Sequence, residues 1–252
     1  MSPTGDVVFR TRRGVARRAR GWEIAARRRF PRFPERVECP ICGWTGPQFA
    51  PSIRPRRANR ICPACHSSER YRALELLLRS EGTVAPGRRL LEVAPVRTVE
   101  PTARDLGYHY TSIDLSSPLA QVNGDLCRLP FPDASFDTVV CFHVLEHIIT
   151  DVAAVSELAR VVGPGGRAIV VVPREDHRPS TFEVPGAEPS DYERLYGQSD
   201  HVRIYGSDVV DRWASPGVRV EEEPWAEIFT PEVWRRGALS GDDDRFWILG
   251  AR

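Results

Sequence analysis

Two pairs of cysteines in the first third constrain the fold of this chain most. Cys39 and Cys42 stand in CPICGW, and Cys62 and Cys65 stand in CPACHS, so two residues separate the members of each pair. A CxxC turn places two thiolates on one edge of a tight loop, and two such turns complete the tetrahedron that zinc prefers. Four sulfur ligands leave no open position for water. The spacing therefore predicts a structural zinc site in a small ribbon.

Alternatives exist for these cysteines. They could form two disulfides, which a cytoplasmic compartment disfavours. His66 follows Cys65 directly and could serve as a ligand, although four cysteines make it unnecessary. Cys127 and Cys141 stand singly in apolar surroundings, which predicts that they are core residues rather than ligands.

Length and charge restrict the class of protein. A chain of 252 residues can form one large domain with a small appendage. We expect a cytoplasmic protein without membrane association, because neither a spanning apolar run nor a secretory signal is evident. Residues 1–80 hold 18 Arg against 6 acidic residues, whereas residues 81–252 hold 17 against 28. The basic part could attract nucleic acid or dock on the acidic part of its own chain.

Strand and helix patterns alternate after the cysteines. RRLLEVAPV, YHYTSIDL, FDTVVCFHVL and RAIVVVP are predicted strands, with helices near 99–106 and 151–162. Such alternation favours an α/β fold with a doubly wound, mostly parallel sheet. VRVEEEPWAEIF and RFWILGAR predict a closing antiparallel pair. The predicted segments are a basic N-terminal stretch (1–36), the ribbon (37–70), a connecting helix (71–87) and the large domain (88–252).

The order of SIDLS, GDLCRLPFPDASFDTVVCFHVLEHI and ELARVVGPGGRAIVVVP resembles class I S-adenosylmethionine-dependent methyltransferases. A narrower resemblance is to bacterial methyltransferases that join an N-terminal zinc ribbon to this domain and carry a segment like GQSDHVRIYGSDVVDR. The resemblance implies a Rossmann-like methyltransferase sheet, S-adenosylmethionine as cofactor and a structural Zn2+. Its one departure from the general pattern is LLEVAPVRTVE, residues 90–100, which contains no glycine.

The resemblance also implies cofactor-binding residues. S-adenosylmethionine has no phosphate, so the loop after the first strand need only shape a pocket, and Pro95 can fix its bend. Asp114 could accept both ribose hydroxyls, or it could be a solvated turn residue. Asp125 could meet the adenine amino group beside Leu126, or it could cap a loop. The predicted cofactor residues are Glu92, Ala94, Pro95, Asp114, Leu115, Asp125, Leu126, Phe142 and His143.

The acceptor side is assigned to two segments. FHVLEH ends a predicted strand, and one of its residues His143, Glu146 and His147 could face the transferred methyl group, although a structural or cofactor-side role is at least as compatible. The polar segment 174–205 could form a lid that holds His201, our preferred general base, or His201 could be a loop residue tied to a neighbouring backbone. Tyr192, Tyr196, Arg203 and Tyr205 are the predicted acceptor-binding residues.

We therefore expect an enzyme that methylates an oxygen or nitrogen of a polar small molecule, in a bacterial biosynthetic pathway. One alternative is an RNA methyltransferase that uses the basic zinc-ribbon region. Against it, the sequence lacks an Asn-Pro-Pro-aromatic motif after the fourth strand. Another alternative is a cofactor-binding protein without methyl transfer. The sequence does not indicate the oligomeric state.

Overall fold

The computed structural model describes residues 36–53, 57–80, 87–215, 217–239 and 245–251. The prediction of a basic N-terminal stretch falls on residues outside these ranges, apart from Arg36. The described residues form two compact units: 36–80 with 226–239, and 87–225 with 245–251. The segment boundaries predicted from the sequence stay a prediction. No helix in the described ranges has the length and apolar character needed to cross a membrane.

The elements follow the predicted alternation in the larger unit. The strands are β1 (Val37–Glu38), β2 (Thr45–Gly46), β3 (Arg89–Val93), β4 (His109–Asp114), β5 (Val122–Asn123), β6 (Phe136–Phe142), β7 (Val162–Val171), β8 (Val218–Pro224) and β9 (Arg245–Ala251). The helices are α1 (Glu69–Ser80), α2 (Val99–Asp105), α3 (Asp151–Val161), α4 (Tyr192–Tyr196), α5 (Val209–Trp213), α6 (Trp225–Ile228) and α7 (Pro231–Gly237). Single 3-10 turns occupy Leu126–Arg128, Leu145–His147 and Pro189–Asp191.

Seven strands of the larger unit form one sheet in the order β5-β4-β3-β6-β7-β9-β8. Strands β5, β4, β3, β6 and β7 are parallel to one another, and β9 is antiparallel to both β7 and β8. The predicted α/β fold and its closing antiparallel pair are therefore confirmed. The order reverses direction at β3 and β6, and in such sheets ligands bind beyond the carboxyl ends of the strands at this point.

Both faces of the central strands are buried, which explains their nearly continuous apolar sequences. Alternate residues such as Leu91, Val139 and Val170 pack in a core cluster with α3, where Val155 and Leu158 are fully buried. The intervening residues Leu90, Val140 and Ile169 are buried as well. The sheet is thus held from both sides, which fixes the positions of its carboxyl ends.

A buried carboxylate ties the segment after β7 to the start of α3. Asp151 is 1% exposed and accepts hydrogen bonds from Arg212 at 2.8 Å to each oxygen. The hydroxyl of Tyr205 donates to it at 2.8 Å and the indole of Trp213 at 3.1 Å. Burial alone would raise the pKa of Asp151, but these hydrogen bonds and the nearby charge of Arg203 lower it below its ordinary value. The carboxylate is therefore ionised at neutral pH.

Arg203 is the fully buried arginine of this ion network. Its guanidinium is fully buried and donates to the carbonyl oxygens of Leu145 at 2.7 Å, Ile148 at 2.5 Å and Ile149 at 2.8 Å. It also pairs with Glu183 at 3.1 Å. The network therefore fixes the chain that follows β6 against the polar segment 174–205.

Replacement of Asp151 by Asn should destabilise the protein by about 3–5 kcal/mol, because Arg203 and Arg212 would keep their charges without the buried carboxylate. Urea unfolding followed by tryptophan fluorescence measures this change. The matched control is Asp133→Asn: Asp133 is 81% exposed and pairs with Arg160, so the expected loss is about 0–1 kcal/mol. Equal effects of the two substitutions would contradict this account.

Candidate functional site

The carboxyl ends of β4, β3 and β6 are adjacent in the sheet. Asp114 ends β4, Ala94 follows β3, and His143 follows β6. The main-chain N–H of Gly124 donates to the carbonyl of Asp114 at 3.0 Å, which brings the chain leading to Asp125 to the same edge. The structure therefore brings together the segments that carry the predicted cofactor residues.

The loop after β3 is closed by a side chain instead of by glycine. Glu92 is 2% exposed; its Oε1 accepts from the N–H of Val96 at 3.0 Å, and its Oε2 accepts from the hydroxyl of Tyr110 at 2.5 Å. Ala94 has a φ of 53°, in the left-handed region that glycine enters without strain. An alanine there costs roughly 1–2 kcal/mol, and the buried contacts of Glu92 hold the turn against that cost.

Burial is the main influence on the charge of Glu92. Desolvation raises its pKa to about 7, although the hydrogen bonds from Tyr110 and Val96 favour the ionised form. The carboxyl group therefore changes its charge near neutral pH. Because both of its oxygens already have protein partners, we interpret Glu92 as a residue that shapes the pocket wall.

The two predicted carboxylates of the cofactor side each use one oxygen for their own loop. Asp114 Oδ1 accepts from the N–H groups of Ser116 at 2.8 Å and Ser117 at 2.6 Å. Asp125 Oδ1 accepts from the N–H of Cys127 at 2.9 Å, which caps the turn Leu126–Arg128. These contacts correspond to the alternatives of a turn residue for Asp114 and a loop cap for Asp125. Within the described residues, the second oxygen of each carboxylate stays available for a ligand.

Apolar side chains accompany these carboxylates. Leu115 is 74% exposed directly after Asp114, whereas Leu126 is buried. Phe142 is buried at the end of β6 and its ring stacks on Phe246 with centroids 6.1 Å apart. An exposed leucine beside a carboxylate is the kind of surface that the flat face of an adenine can cover.

Three histidines and a glutamate gather beyond β6. His143 has a φ of 55°, and its Nδ1 lies 3.2 Å from Glu146 Oε1. The rings of His147 and His201 meet edge to face with centroids 4.8 Å apart. The N–H of Val202 donates to the carbonyl of Glu146 at 2.9 Å, which holds His201 against this turn. The structure thus joins His143, His147 and His201, which the sequence separates by up to 58 positions.

His201 is 6% exposed, and burial lowers its pKa below the ordinary value. The neutral imidazole is therefore the main form at neutral pH, and it can accept a proton or bind a metal ion. His147 is one-third exposed, and its Nδ1 lies 3.0 Å from the carbonyl oxygen of Asp200. His201 and His147 thus form a pair in which one imidazole is buried and the other is partly exposed to solvent.

The other predicted acceptor residues have protein partners. Arg203 and Tyr205 are fully buried in the ion network around Asp151, so an acceptor would have to displace those contacts to reach them. The hydroxyl of Tyr196 accepts from the N–H of Val184 at 3.1 Å, and its ring packs on Tyr192. Sequence reasoning did not single out Asp151 as a site residue, because its partners Tyr205, Arg212 and Trp213 lie 54 to 62 positions away.

The four cysteines of the smaller unit form a closed cluster, and all are free thiols. Their sulfur atoms lie within 4.8 Å of one another, with 3.6 Å between Cys39 and Cys65 and between Cys42 and Cys62. A zinc ion with Zn–S bonds of about 2.3 Å separates its sulfur ligands by about 3.8 Å. The residue after each CxxC, Gly43 or His66, has a positive φ. The cluster is therefore compatible with zinc, and His66 has a backbone role in the second turn.

A cavity of about 650 Å³ lies at the opposite edge of the sheet. It is open and is lined by residues near the amino ends of β6 and β7, among them Ala134, Arg160 and Val162. None of the predicted cofactor or acceptor residues lines it. We therefore place the functional site at the carboxyl edge, where the candidate residues gather.

The segment that carries all of the candidate cofactor residues matches a known family. Residues 92–170, about a third of the chain, match the family model described as Methyltransferase domain. With the strand order, this match identifies a class I S-adenosylmethionine-dependent methyltransferase domain. The chain combines this domain with a four-cysteine cluster on its N-terminal side.

The similar proteins match only part of the chain. A demethylmenaquinone methyltransferase of Mycobacterium sp. (strain KMS) is 37% identical over 97 residues, which cover 34% of this chain and 42% of the relative. One from Beutenbergia cavernae is 36% identical over 124 residues, which cover 44% and 47%. The chain thus spans less than half the length of these curated relatives.

Solved structures overlap more broadly at low identity. An S-adenosylmethionine-dependent methyltransferase from Mesorhizobium loti shares 16% identity with a TM-score of 0.47, over 71% of this chain and 98% of that one. A phosphoethanolamine N-methyltransferase from Haemonchus contortus shares 16% identity with a TM-score of 0.45, over 70% and 51%. Structural similarity at these identities and TM-scores carries no information about the acceptor.

Glu92 should make stability depend on pH. Its folded-state pKa of about 7 exceeds the ordinary 4.5, so the folded protein binds more protons between these values and loses stability as the pH rises through them. At about 1.4 kcal/mol per pH unit, the loss is up to about 3 kcal/mol. Urea unfolding at pH 5 and pH 7.5 should show this loss in the wild type and a smaller one in Glu92→Gln. Glu193 is exposed, so Glu193→Gln should show the same pH dependence of stability as the wild type. If Glu92→Gln also kept the wild-type pH dependence, Glu92 would not be its source.

Proposed function

We propose that this protein transfers a methyl group from S-adenosylmethionine to an oxygen or nitrogen of a polar small molecule. The observation that carries the proposal is the carboxyl edge of the sheet, where Asp114, Asp125 and the closed loop after β3 lie beside a cluster of three histidines. The methyltransferase-domain match supports the cofactor, and the named relatives act on a small molecule, demethylmenaquinone.

The cofactor would bind across the ends of β3 and β4. The free oxygen of Asp114 would accept from the ribose hydroxyls, and Leu115 would cover one face of the adenine while Asp125 receives its amino group. The loop of Ala94 and Pro95 would border the methionine part. In this arrangement the end of β6, where His143 follows the strand, would lie on the acceptor side of the cofactor.

The reaction is an in-line displacement at the methyl carbon. A lone pair of the acceptor forms the new bond as the carbon–sulfur bond breaks, and that electron pair stays on sulfur as S-adenosylhomocysteine forms. The protein must align the two groups and help the acceptor lose its proton. The cluster of His143, His147 and His201 would supply the side chains that help to remove this proton.

The role of the four cysteines is structural in this proposal. Cys39, Cys42, Cys62 and Cys65 would hold one zinc ion with no open coordination position, so the ion stabilises the smaller unit and takes no part in methyl transfer. Ser67 supports the cluster, since its hydroxyl lies 3.2 Å from the sulfur of Cys65 and 3.5 Å from that of Cys39.

Replacement of Asp114 by Ala should weaken the binding of S-adenosylhomocysteine by roughly 2–4 kcal/mol, because the ribose would lose charge-assisted hydrogen bonds. Isothermal titration calorimetry measures this loss. Asp114→Asn is the matched variant: its amide oxygen can still accept from Ser116 and Ser117, so it separates loop support from ribose binding. If both variants bind like the wild type, the ribose partner is another residue.

The acceptor class can be tested with methyl-labelled S-adenosylmethionine and a fractionated bacterial extract. We expect label in the low-molecular-weight fraction, and its loss with Asp114→Ala. Label in the RNA fraction, with affinity that falls steeply as salt rises, would replace the proposal with an RNA methyltransferase. Cofactor binding with no label in any fraction would favour a binding protein.

Metal analysis of the purified protein should give about one tightly bound zinc per chain, held by the four thiolates. Cys62→Ser should lose this zinc and destabilise the protein, whereas Cys127→Ser should keep it, since Cys127 lies outside the cluster. A folded, metal-free wild type with four unreactive thiols would contradict the zinc site.

A further inference from the structure

Glu146 has an unusual environment in the histidine cluster. It is fully buried, yet neither carboxylate oxygen accepts a hydrogen bond within the part of the chain that the structure describes. His143 Nδ1 lies 3.2 Å from Oε1, which is ion-pair distance, but the contact lacks hydrogen-bond geometry. A buried carboxylate without hydrogen bonds is costly. It is therefore a group that a cation would stabilise.

Two imidazoles lie within reach of the same point. A ligand atom from each of Glu146, His147 and His201 lies within 4.8 Å of the others. Ligands bound to one ion at about 2.0–2.2 Å lie roughly 3–4 Å apart, so side-chain shifts of about 1 Å would allow all three to bind one ion. Two histidines with one carboxylate suit divalent transition-metal ions such as zinc or iron(II).

The surroundings of His147 fit a metal ligand. Its Nδ1 lies 3.0 Å from the carbonyl oxygen of Asp200 and 3.4 Å from a carboxylate oxygen of the same residue. A proton on Nδ1 donated to these acceptors leaves Nε2 with its lone pair. Metal-binding histidines commonly orient their second nitrogen toward a carbonyl or carboxylate in this way.

We propose that Glu146, His147 and His201 bind a divalent transition-metal ion at the carboxyl end of β6, separate from the four-cysteine cluster. Three protein ligands leave coordination positions open, in contrast to the closed set of four thiolates. His147 is one-third exposed, so an oxygen ligand from solvent can reach this side of the cluster.

The site would also define the acceptor, and this extension rests on the proposed methyl transfer. A hydroxyl oxygen bound at an open position loses its proton to solvent more readily, because the cation stabilises the oxyanion. The oxyanion would then attack the methyl carbon of the sulfonium, giving a neutral ether and a neutral thioether. The acceptor class is accordingly a small molecule with a metal-coordinating hydroxyl group.

The test is titration of Co2+ into protein whose four-cysteine cluster is loaded with zinc, followed by calorimetry and visible absorption. We expect one equivalent of bound Co2+ with weak d–d bands and without thiolate charge-transfer bands. Glu146→Gln, His147→Ala and His201→Ala should each weaken binding by about tenfold or more. His177→Ala is the matched control, since His177 is 77% exposed and outside the cluster, and it should bind like the wild type.

Binding of S-adenosylhomocysteine by each variant verifies that it is folded, and Glu146→Gln preserves the shape of the side chain. No Co2+ binding by the wild type, or equal binding by all variants, would overturn the proposal. Thiolate bands would show that Co2+ occupies the cysteines instead and would equally count against it. Because the titration needs no acceptor, its result is independent of whether methyl transfer is found.

Discussion

The buried ion pairing of Asp151 with Arg203 and Arg212 is the interaction on which the rest of the site depends. Arg203 donates to three carbonyl oxygens of the turn after β6, and Asp151 begins the helix that follows that turn. Removing Asp151 would leave Arg203 and Arg212 to share Glu183, which is about one-third exposed, in place of a buried carboxylate. The network consequently fixes two segments far apart in sequence, and the positions of Glu146 and His201 follow from it.

The carboxyl edge of the sheet combines this rigid support with local strain. Ala94 and His143 follow neighbouring strands and both have positive φ values, a conformation that non-glycine residues hold only when their surroundings enforce it. At Ala94 the enforcing contacts come from Glu92; at His143 the main-chain N–H donates to the carbonyl of Val171 at 2.8 Å. Side chains and backbone at this edge are therefore held in place before any ligand arrives.

Much of this fold could be predicted because its signals are local. Apolar runs in RRLLEV and RAIVVV, the breaks at glycine and proline, and the CxxC spacing each depend on residues within a few positions of one another. The antiparallel closure by β8 and β9 was also predictable, since the two strand patterns lie close in sequence.

The site was harder to predict because its contacts are long-range. Arg203 and Tyr205 stand in a polar segment, and polarity alone suggested an exposed lid. Their burial depends on Asp151 and Glu183, and a single sequence does not reveal such pairings. The contact between His147 and His201 is likewise long-range, because a backbone hydrogen bond from Val202 to Glu146 holds the two segments together. Composition gives no sign of it.

The smaller unit is discontinuous in the chain, which bears on how such proteins can recombine. Fully buried Arg72 donates to the carbonyls of Arg60 and Ser67 beside the cysteines, and also to those of Gly237 and Ala238 at the end of α7. An N-terminal piece transferred alone to another enzyme would leave this guanidinium with half of its acceptors. Exchange of the cysteine unit between genes would therefore have to carry both stretches, which makes it a poor candidate for simple end-to-end shuffling.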